Sequence, residues 1–107
     1  MEFLAPNQKA ARRVLILGAR ASDLEELTLR FAAADLCVDL VHAYEDALTC
    51  FYEQGGHNAV FLIGAETQEQ RRTVLALHEI SPDLVLGQSA NLPDTQAIQE
   101  LAAEIEG

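Results

Sequence analysis

Long apolar runs and basic residues are both scarce in this chain of 107 residues. No hydrophobic stretch approaches the roughly 20 residues that a membrane-spanning helix needs, so we expect no membrane contact. The segment up to Arg13 has no apolar core of the kind that a secretory signal carries. Lys and Arg number 7 against 17 acidic residues, for a net charge of −10. Because nucleic-acid binding needs a basic footprint, this balance predicts no direct nucleic-acid binding.

Cysteine is also rare, and its two positions form no recognisable motif. Cys37 and Cys50 make neither a CxxC pair nor a metal-binding spacing with the three histidines. Both fall inside predicted regular elements, where a free cysteine usually behaves as a small buried hydrophobe. We therefore expect two buried thiols, no metal, no cofactor, and a reducing, cytoplasmic location.

Half of the residues are hydrophobic, which is enough for one packed domain of this length. Four short apolar runs predict strands, at Val14–Leu17, Val38–Val41, Ala59–Ile63 and Leu84–Leu86. The first and third are unbroken β-branched and aliphatic blocks, which is typical of central parallel strands covered on both faces. The second contains Asp39, which favours an edge position.

Helical periodicity separates these strands. Capping boxes at Ser22–Glu25 and Thr67–Gln70 begin the first and third helices, Gly55 and Gly56 end the second, and Asp94 or Pro93 begins the fourth. The side chains expected to face the core are those of Leu24, Leu27, Phe31, Ala34, Ala47, Cys50, Phe51, Val74, Leu77, Ile98, Leu101, Ala102 and Ile105, with His78 or Ile80 as a further candidate on the third helix.

Strict alternation of strand and helix predicts a parallel sheet with helices on both faces. We expect the flavodoxin-like three-layer α/β sandwich with strand order 2-1-3-4. Residues 13–107 would form this domain, and residues 1–12 would form an N-terminal arm.

In such a sheet, ligands bind at the carboxyl ends of the strands, here between strands 1 and 3. Helix N-termini beside glycines can hold a phosphate or a nucleotide, and Arg20 could assist. The candidate ligand-binding residues on these loops are Gly18, Arg20, Ser22, Gly64 and Thr67. The chain has no GxGxxG and no Walker-type lysine, so the same glycines also fit a purely geometric role in the turns. Asp23 and Glu66 are the only acids in the loops after strands 1 and 3, and helix-dipole complementarity accounts for both, so we expect no enzyme.

Several blocks resemble the receiver domains of bacterial response regulators. They are Arg13–Gly18, the helix with Leu24, Leu27 and Phe31, Ala43–Leu48, and Asn58–Gly64. The likeness covers roughly residues 12 to 90. It implies a signal-transduction or transcription-regulation role, and the chain is similar to the atypical N-terminal receivers of some bacterial enhancer-binding regulators of flagellar and biofilm genes.

The resemblance fails where receiver chemistry should lie. The magnesium-binding acids would fall at Gly18 and Ala19, and the phosphoacceptor aspartate at Ile63 or Gly64. Ser89 matches the hydroxyl that follows strand 4, but a fifth strand and its lysine are missing. Either the last β/α unit is absent, or an earlier unit is deleted and the final helix is the family's last one.

Two functions are therefore expected from the sequence. The first is a non-catalytic regulatory domain, not phosphorylatable at the usual site, that binds a protein partner or forms a homodimer. The alternative is a small-ligand or nucleotide-binding domain that uses the glycine-lined edge. The apolar stripe of the final helix is the candidate interface, unless the sheet covers it; its residues are Ile98, Leu101, Ala102 and Ile105.

Overall fold

The computed structural model describes residues 12–107, and eight helices and strands alternate along them. They are β1 (Arg12–Leu17), α1 (Leu24–Ala32), β2 (Leu36–Val41), α2 (Tyr44–Glu53), β3 (Ala59–Ile63), α3 (Gln68–Ile80), β4 (Val85–Ser89) and α4 (Thr95–Glu106). The predicted arm lies outside the described residues except for Arg12, which is the first residue of β1. No helix among residues 12–107 is long and apolar enough to cross a membrane.

The four strands form one parallel sheet in the order β2-β1-β3-β4, which confirms the predicted flavodoxin-like topology. Val14 of β1 lies between Val38 of β2 and Ala59 of β3. All five residues of β3 are buried, as expected of a central strand with helices on both faces. Asp39 lies in the edge strand β2, also as predicted.

Two separate cores hold the three layers together. On one face, Phe31 of α1 and Ile98 of α4 pack against the sheet around Phe61. On the other face, Phe51 of α2 and Leu77 of α3 pack against it. The fold is therefore a sandwich in which each helical layer has its own apolar contact with the sheet.

The stripe on α4 is mostly covered, which corrects its use as a candidate interface. Ile98 is 2% and Leu101 is 5% exposed, and both belong to the core beneath α1 and α4. Ala102 and Ile105 are partly buried against the same core. A four-stranded sheet is therefore wide enough to cover this helix, because β4 itself provides the surface beneath it.

Two other predictions about burial are wrong. The two thiols are not both buried: Cys37 is exposed, because it lies near the start of an edge strand, and Cys50 is half-buried against the core beneath α2. Leu24 is 46% exposed, because the chain enters α1 through a 3₁₀ turn over Ala21–Asp23 that shifts the first residue of the helix off the buried face. The expected capping box at Ser22–Glu25 is replaced there by a bond from the Arg20 backbone N–H to the Asp23 carboxylate, at 3.1 Å.

The predicted N-terminal caps of α3 and α4 are confirmed. Thr67 and Gln70 form the predicted capping box of α3, and the Asp94 carboxylate accepts a bond from the Ala97 N–H at 2.9 Å. The fourth strand is longer than expected, since it continues through Gly87. A Cβ at Gly87 would lie 2.8 Å from a ring carbon of Phe61, so this glycine allows close packing within the strand.

Candidate functional site

The loops that follow β1 and β3 touch each other at the carboxyl edge of the sheet. Gly18 has a φ of +97°, and a Cβ there would lie 2.0 Å from the carbonyl oxygen of Ile63. The same Cβ would lie 2.9 Å from the side-chain nitrogen of Gln70, which is itself 93% buried. Only glycine fits at this position, and the side chain of Gln70 occupies the space beside it.

Several hydroxyl and amide groups of this edge have partners within the chain. Thr67 Oγ1 accepts a hydrogen bond from the Gln70 N–H at 3.0 Å, and Gln70 Oε1 accepts one from the Thr67 N–H at 3.1 Å. Gly64 donates its N–H to the Ser89 carbonyl at 2.9 Å. The Ser89 hydroxyl donates to the carbonyl of Asn91 at 2.7 Å. Thr67 and Ser89 thus hold the loops in place.

The positions that would carry receiver chemistry are apolar or lack side chains. Ala19 is 5% and Ile63 is 7% exposed, so both belong to the core. The structure brings Gly18 and Ile63 into contact. It places no carboxylate at the four positions Gly18, Ala19, Ile63 and Gly64.

Two acids in or beside the loop after β3, Glu66 and Glu69, have partners within the chain. Glu69 accepts a hydrogen bond from the Tyr44 N–H at 2.8 Å, at the first turn of α2. Glu66 lies 3.6 Å from the guanidinium of Arg71. The guanidinium of Arg72 lies 3.9 Å above the Tyr44 ring, a cation–π contact. The two contacts of Tyr44 join α2 to α3 across the edge of the sheet.

Arg20 and Ser22 lie in an exposed loop ahead of α1. The helical structure that begins there is a 3₁₀ turn of three residues. This turn runs directly into α1, so the two side chains lie at the start of a helical segment whose first turn is 3₁₀.

A second cluster lies elsewhere, on the face covered by α2 and α3, and sequence reasoning missed it. His57 precedes β3, its side chain is fully buried, and its Nε2 lies 2.9 Å from Oδ2 of Asp39 in β2. Arg13 Nε of β1 lies 3.4 Å from the same oxygen. The thiol of Cys50 on α2 completes the group, and one ligand atom each from Asp39, Cys50 and His57 lies within 4.8 Å of the others.

Burial dominates the electrostatics of this cluster. It lowers the pKa of His57, although the hydrogen bond and the charge of Asp39 act in the opposite direction. Burial also raises the pKa of the Cys50 thiol, and the negative charge of Asp39 adds to that rise. At neutral pH we therefore expect a neutral imidazole and a protonated thiol.

A neutral imidazole that donates its Nε2–H to Asp39 keeps a lone pair on Nδ1. Among residues 12–107, the buried Nδ1 of His57 has no hydrogen-bond partner. The Phe51 ring stacks on the imidazole with its centroid 5.6 Å away, which restricts the orientation of the ring. The cluster borders a cleft of about 580 Å³ whose lining includes Arg13, Phe51, His57, Asn58, Ile80 and Ser81.

One sequence signal could have pointed to this cluster. Asp39 interrupts an apolar strand, and a carboxylate on a helix-covered face needs a partner. Its partner lies 18 residues away in the sequence, so no local motif shows the pair.

Comparisons with family models, with curated proteins and with solved structures found no significant match to this chain. The likeness to receiver domains therefore stays a prediction.

Proposed function

We propose that this domain is a non-catalytic regulatory module of the receiver type, which acts through contacts with a protein partner or with a second copy of itself. The contact between Gly18 and the Ile63 carbonyl carries this proposal. It closes the edge of the sheet at the place where a phosphorylatable receiver would need a metal ion and a free carboxylate.

The chemistry of phosphoryl transfer explains why this closure matters. The reaction needs a metal ion to neutralise the transferred phosphoryl group and a nucleophile to accept it. Gly18 and Ala19 offer no side-chain oxygen to an ion, and Ile63 offers no nucleophile. Gln70 fills the adjoining space with an amide that is already hydrogen-bonded to Thr67.

The exposed apolar side chains favour contacts through the helices. Leu29 of α1, Tyr52 of α2 and Leu75 of α3 are each about two-thirds exposed. None of them belongs to the apolar stripe of α4, which is largely buried in the core. An association surface on one of these helices would leave the sheet unchanged.

The small-ligand alternative has less support. It needs free polar groups at the glycine-lined edge, and Thr67 and Ser89 already make hydrogen bonds within the chain.

Incubation with acetyl phosphate and Mg²⁺, followed by electrophoresis on a phosphate-retarding gel, tests the absence of phosphorylation. We expect a single unretarded band, while a phosphorylatable receiver in a parallel reaction gives a retarded one. A retarded band from this chain contradicts the proposal.

Sedimentation velocity over a concentration series tests self-association. A homodimer predicts a sedimentation coefficient that rises with concentration, and a constant monomer value assigns the contacts to another protein. If the coefficient rises, Leu29→Glu and Leu75→Glu serve as matched variants, because both side chains are comparably exposed and lie on different helices. The variant that stays monomeric identifies the helix in contact.

A further inference from the structure

We propose that the outer edge of β4 binds an extended segment of a protein partner as an added strand. The segment would place apolar side chains on the α3 face of the sheet and basic side chains on the α4 face. This inference rests on the regulatory function proposed above, and it names the contact surface and the kind of partner. Among residues 12–107, β4 pairs with β3 alone, so no strand lies along its other edge.

The backbone of β4 offers hydrogen-bonding groups at this edge. The Val85 N–H and the Ser89 carbonyl both bond toward β3, at 3.1 Å and 2.9 Å. Because the direction of bonding alternates along a strand, the N–H and carbonyl groups of Leu86 and Gln88 point away from β3. Unpaired groups of this kind are the template on which an extended peptide adds to a sheet.

No charge within β4 protects this edge from pairing. Sheets commonly keep an edge strand from pairing with other chains by placing a charged residue or a bulge in it. The edge strand β2, on the opposite side of the sheet, contains Asp39. The stretch from Leu84 to Pro93, by contrast, contains no charged residue. The β4 edge is therefore the one that accepts another strand.

Apolar side chains flank the β4 edge on the α3 face. Leu84 is buried in the core beneath α2 and α3, and side chains alternate along a strand, so Leu86 lies on the same face. His78 Nε2 of α3 lies 2.9 Å from the Leu84 carbonyl oxygen. Leu75, three residues earlier, shares that side of α3. Leu75 is 63% and Leu86 is 43% exposed, so both can pack against an apolar side chain of an added strand.

Acidic side chains lie beside β4 on the α4 face. Leu101 of α4 packs over the middle of the strand, because a Cβ at Gly87 would lie 3.1 Å from one of its methyl carbons. Glu104 follows one turn later and is exposed. It lines a cleft of about 230 Å³ together with Asp83 and the first residues of β4. Lys or Arg side chains of an added strand would lie near these two carboxylates.

Charge favours a basic partner over a second copy of this chain. Each copy has a net charge of −10. Pairing of two β4 strands would also bring two α4 helices to the same seam, each with Glu100 and Glu104 exposed. Like charges oppose such an encounter, whereas Lys or Arg in the partner speeds it. The occupant is therefore a basic, apolar segment of another protein.

A fluorescein-labelled synthetic peptide in which valine and lysine alternate is the probe, and fluorescence anisotropy measures its binding to the full chain. The same peptide with every backbone nitrogen methylated is the matched control, because it keeps the charges and side chains and loses the backbone donors. We expect the methylated peptide to bind at least about tenfold more weakly. Equal binding of the two peptides overturns the proposal, as does no binding of the unmethylated one.

Three pairs of variants locate the contact. Gln88→Pro removes an outward N–H and should abolish binding, whereas Gln88→Ala keeps it and should bind normally. Leu86→Gln should weaken binding, and Leu29→Gln, on the distant helix α1, should not. Glu104→Gln should weaken binding about two- to fivefold, whereas Glu25→Gln makes the same change in net charge on α1 and should have no effect. Equal effects within any pair contradict the assigned surface.

Amide hydrogen exchange read by NMR decides the case if Gln88→Pro does not fold. Saturating peptide should slow exchange at Leu86 and Gln88 of the unaltered protein at least about tenfold. If these amides are already protected without peptide, another part of the chain occupies the edge. Protection that grows with protein concentration assigns the edge to a second copy, and either result overturns the proposal.

The phosphorylation assay separates this inference from the function on which it rests. A retarded band contradicts the non-catalytic regulatory function itself. An unretarded band, together with unprotected amides at Leu86 and Gln88 in the presence of peptide, refutes strand addition alone.

Discussion

Replacing Gly18 with alanine tests whether the loops at the carboxyl edge are closed against each other. The new Cβ would lie 2.0 Å from the carbonyl oxygen of Ile63, far inside any real contact distance. Gly64 provides the matched control, because its φ of +90° is close to the +97° of Gly18 while nothing lies within 4 Å of its Cβ position. The two substitutions therefore share the backbone penalty and differ in the clash.

The expected loss of stability is the sum of the cost of a positive φ and the cost of the clash. A non-glycine residue with positive φ costs about 1–2 kcal/mol, and both variants carry this cost. Forcing a methyl group into packed structure costs about 1–3 kcal/mol more, and only Gly18→Ala carries it. We expect the free energy of unfolding to fall by about 2–5 kcal/mol in Gly18→Ala and by about 1–2 kcal/mol in Gly64→Ala. Against a total of about 5–15 kcal/mol, the larger loss is severe.

Urea unfolding followed by far-ultraviolet circular dichroism measures both losses. With a slope of about 1–3 kcal/mol per molar urea, the midpoints of the two variants should differ by about 1 M. If Gly18→Ala is no less stable than Gly64→Ala, the loops do not touch. The edge would then have room for a ligand, and the main support for a non-catalytic module would be lost.

Three further changes test other parts of the structure. Because burial lowers the pKa of His57, the unfolded chain binds the proton first as the pH falls through 6.5. The unaltered protein should therefore lose stability relative to His57→Gln below that pH, by up to about 1.4 kcal/mol per pH unit, in urea titrations at several pH values. Phe31→Ala removes a fully buried ring that meets Phe61 edge to face, and should cost about 3–5 kcal/mol in the same assay. Asp94→Ala removes the acceptor for the Ala97 N–H and should cost about 1 kcal/mol, whereas Asp94→Asn should cost less.

Each of these three has an outcome that contradicts it. If the free energy of unfolding changes with pH in the same way in the unaltered protein and in His57→Gln, the pKa of this imidazole is the same in the folded and unfolded chains. A loss below 1 kcal/mol for Phe31→Ala would show that the core between α1 and the sheet is loosely packed. If Asp94→Ala is as stable as the unaltered protein, the hydrogen bond from the Ala97 N–H to the Asp94 carboxylate does not stabilise α4.

The topology of the sheet could be predicted from the sequence. The apolar block Ala59–Ile63 is a strand with the predicted bounds, and the Thr67–Gln70 capping box begins α3 as expected. Both features depend on neighbouring residues in the chain: on side-chain periodicity in the strand, and on bonds between residues three apart in the capping box. Strict alternation of such elements then leaves few topologies besides the one observed.

The closure of the carboxyl edge could be predicted only in part. Matching the chain to receiver domains places Gly18 and Ile63 where the missing acids would be. Their direct contact, and the placement of Gln70 beside it, depend on the packing of β1 against β3, which no local pattern shows.

The sequence by itself determined the alternation of elements and the lack of acids at Gly18, Ala19, Ile63 and Gly64, because both depend on residue type and short-range order. The tertiary structure decided which residues are covered. It buries Ile98 and Leu101, exposes Cys37, and joins His57 to Asp39 across 18 residues. Burial and pairing of this kind arise where separate elements meet. A cluster such as that of Asp39, Cys50 and His57 therefore exists only once β2, α2 and the connection to β3 have packed together.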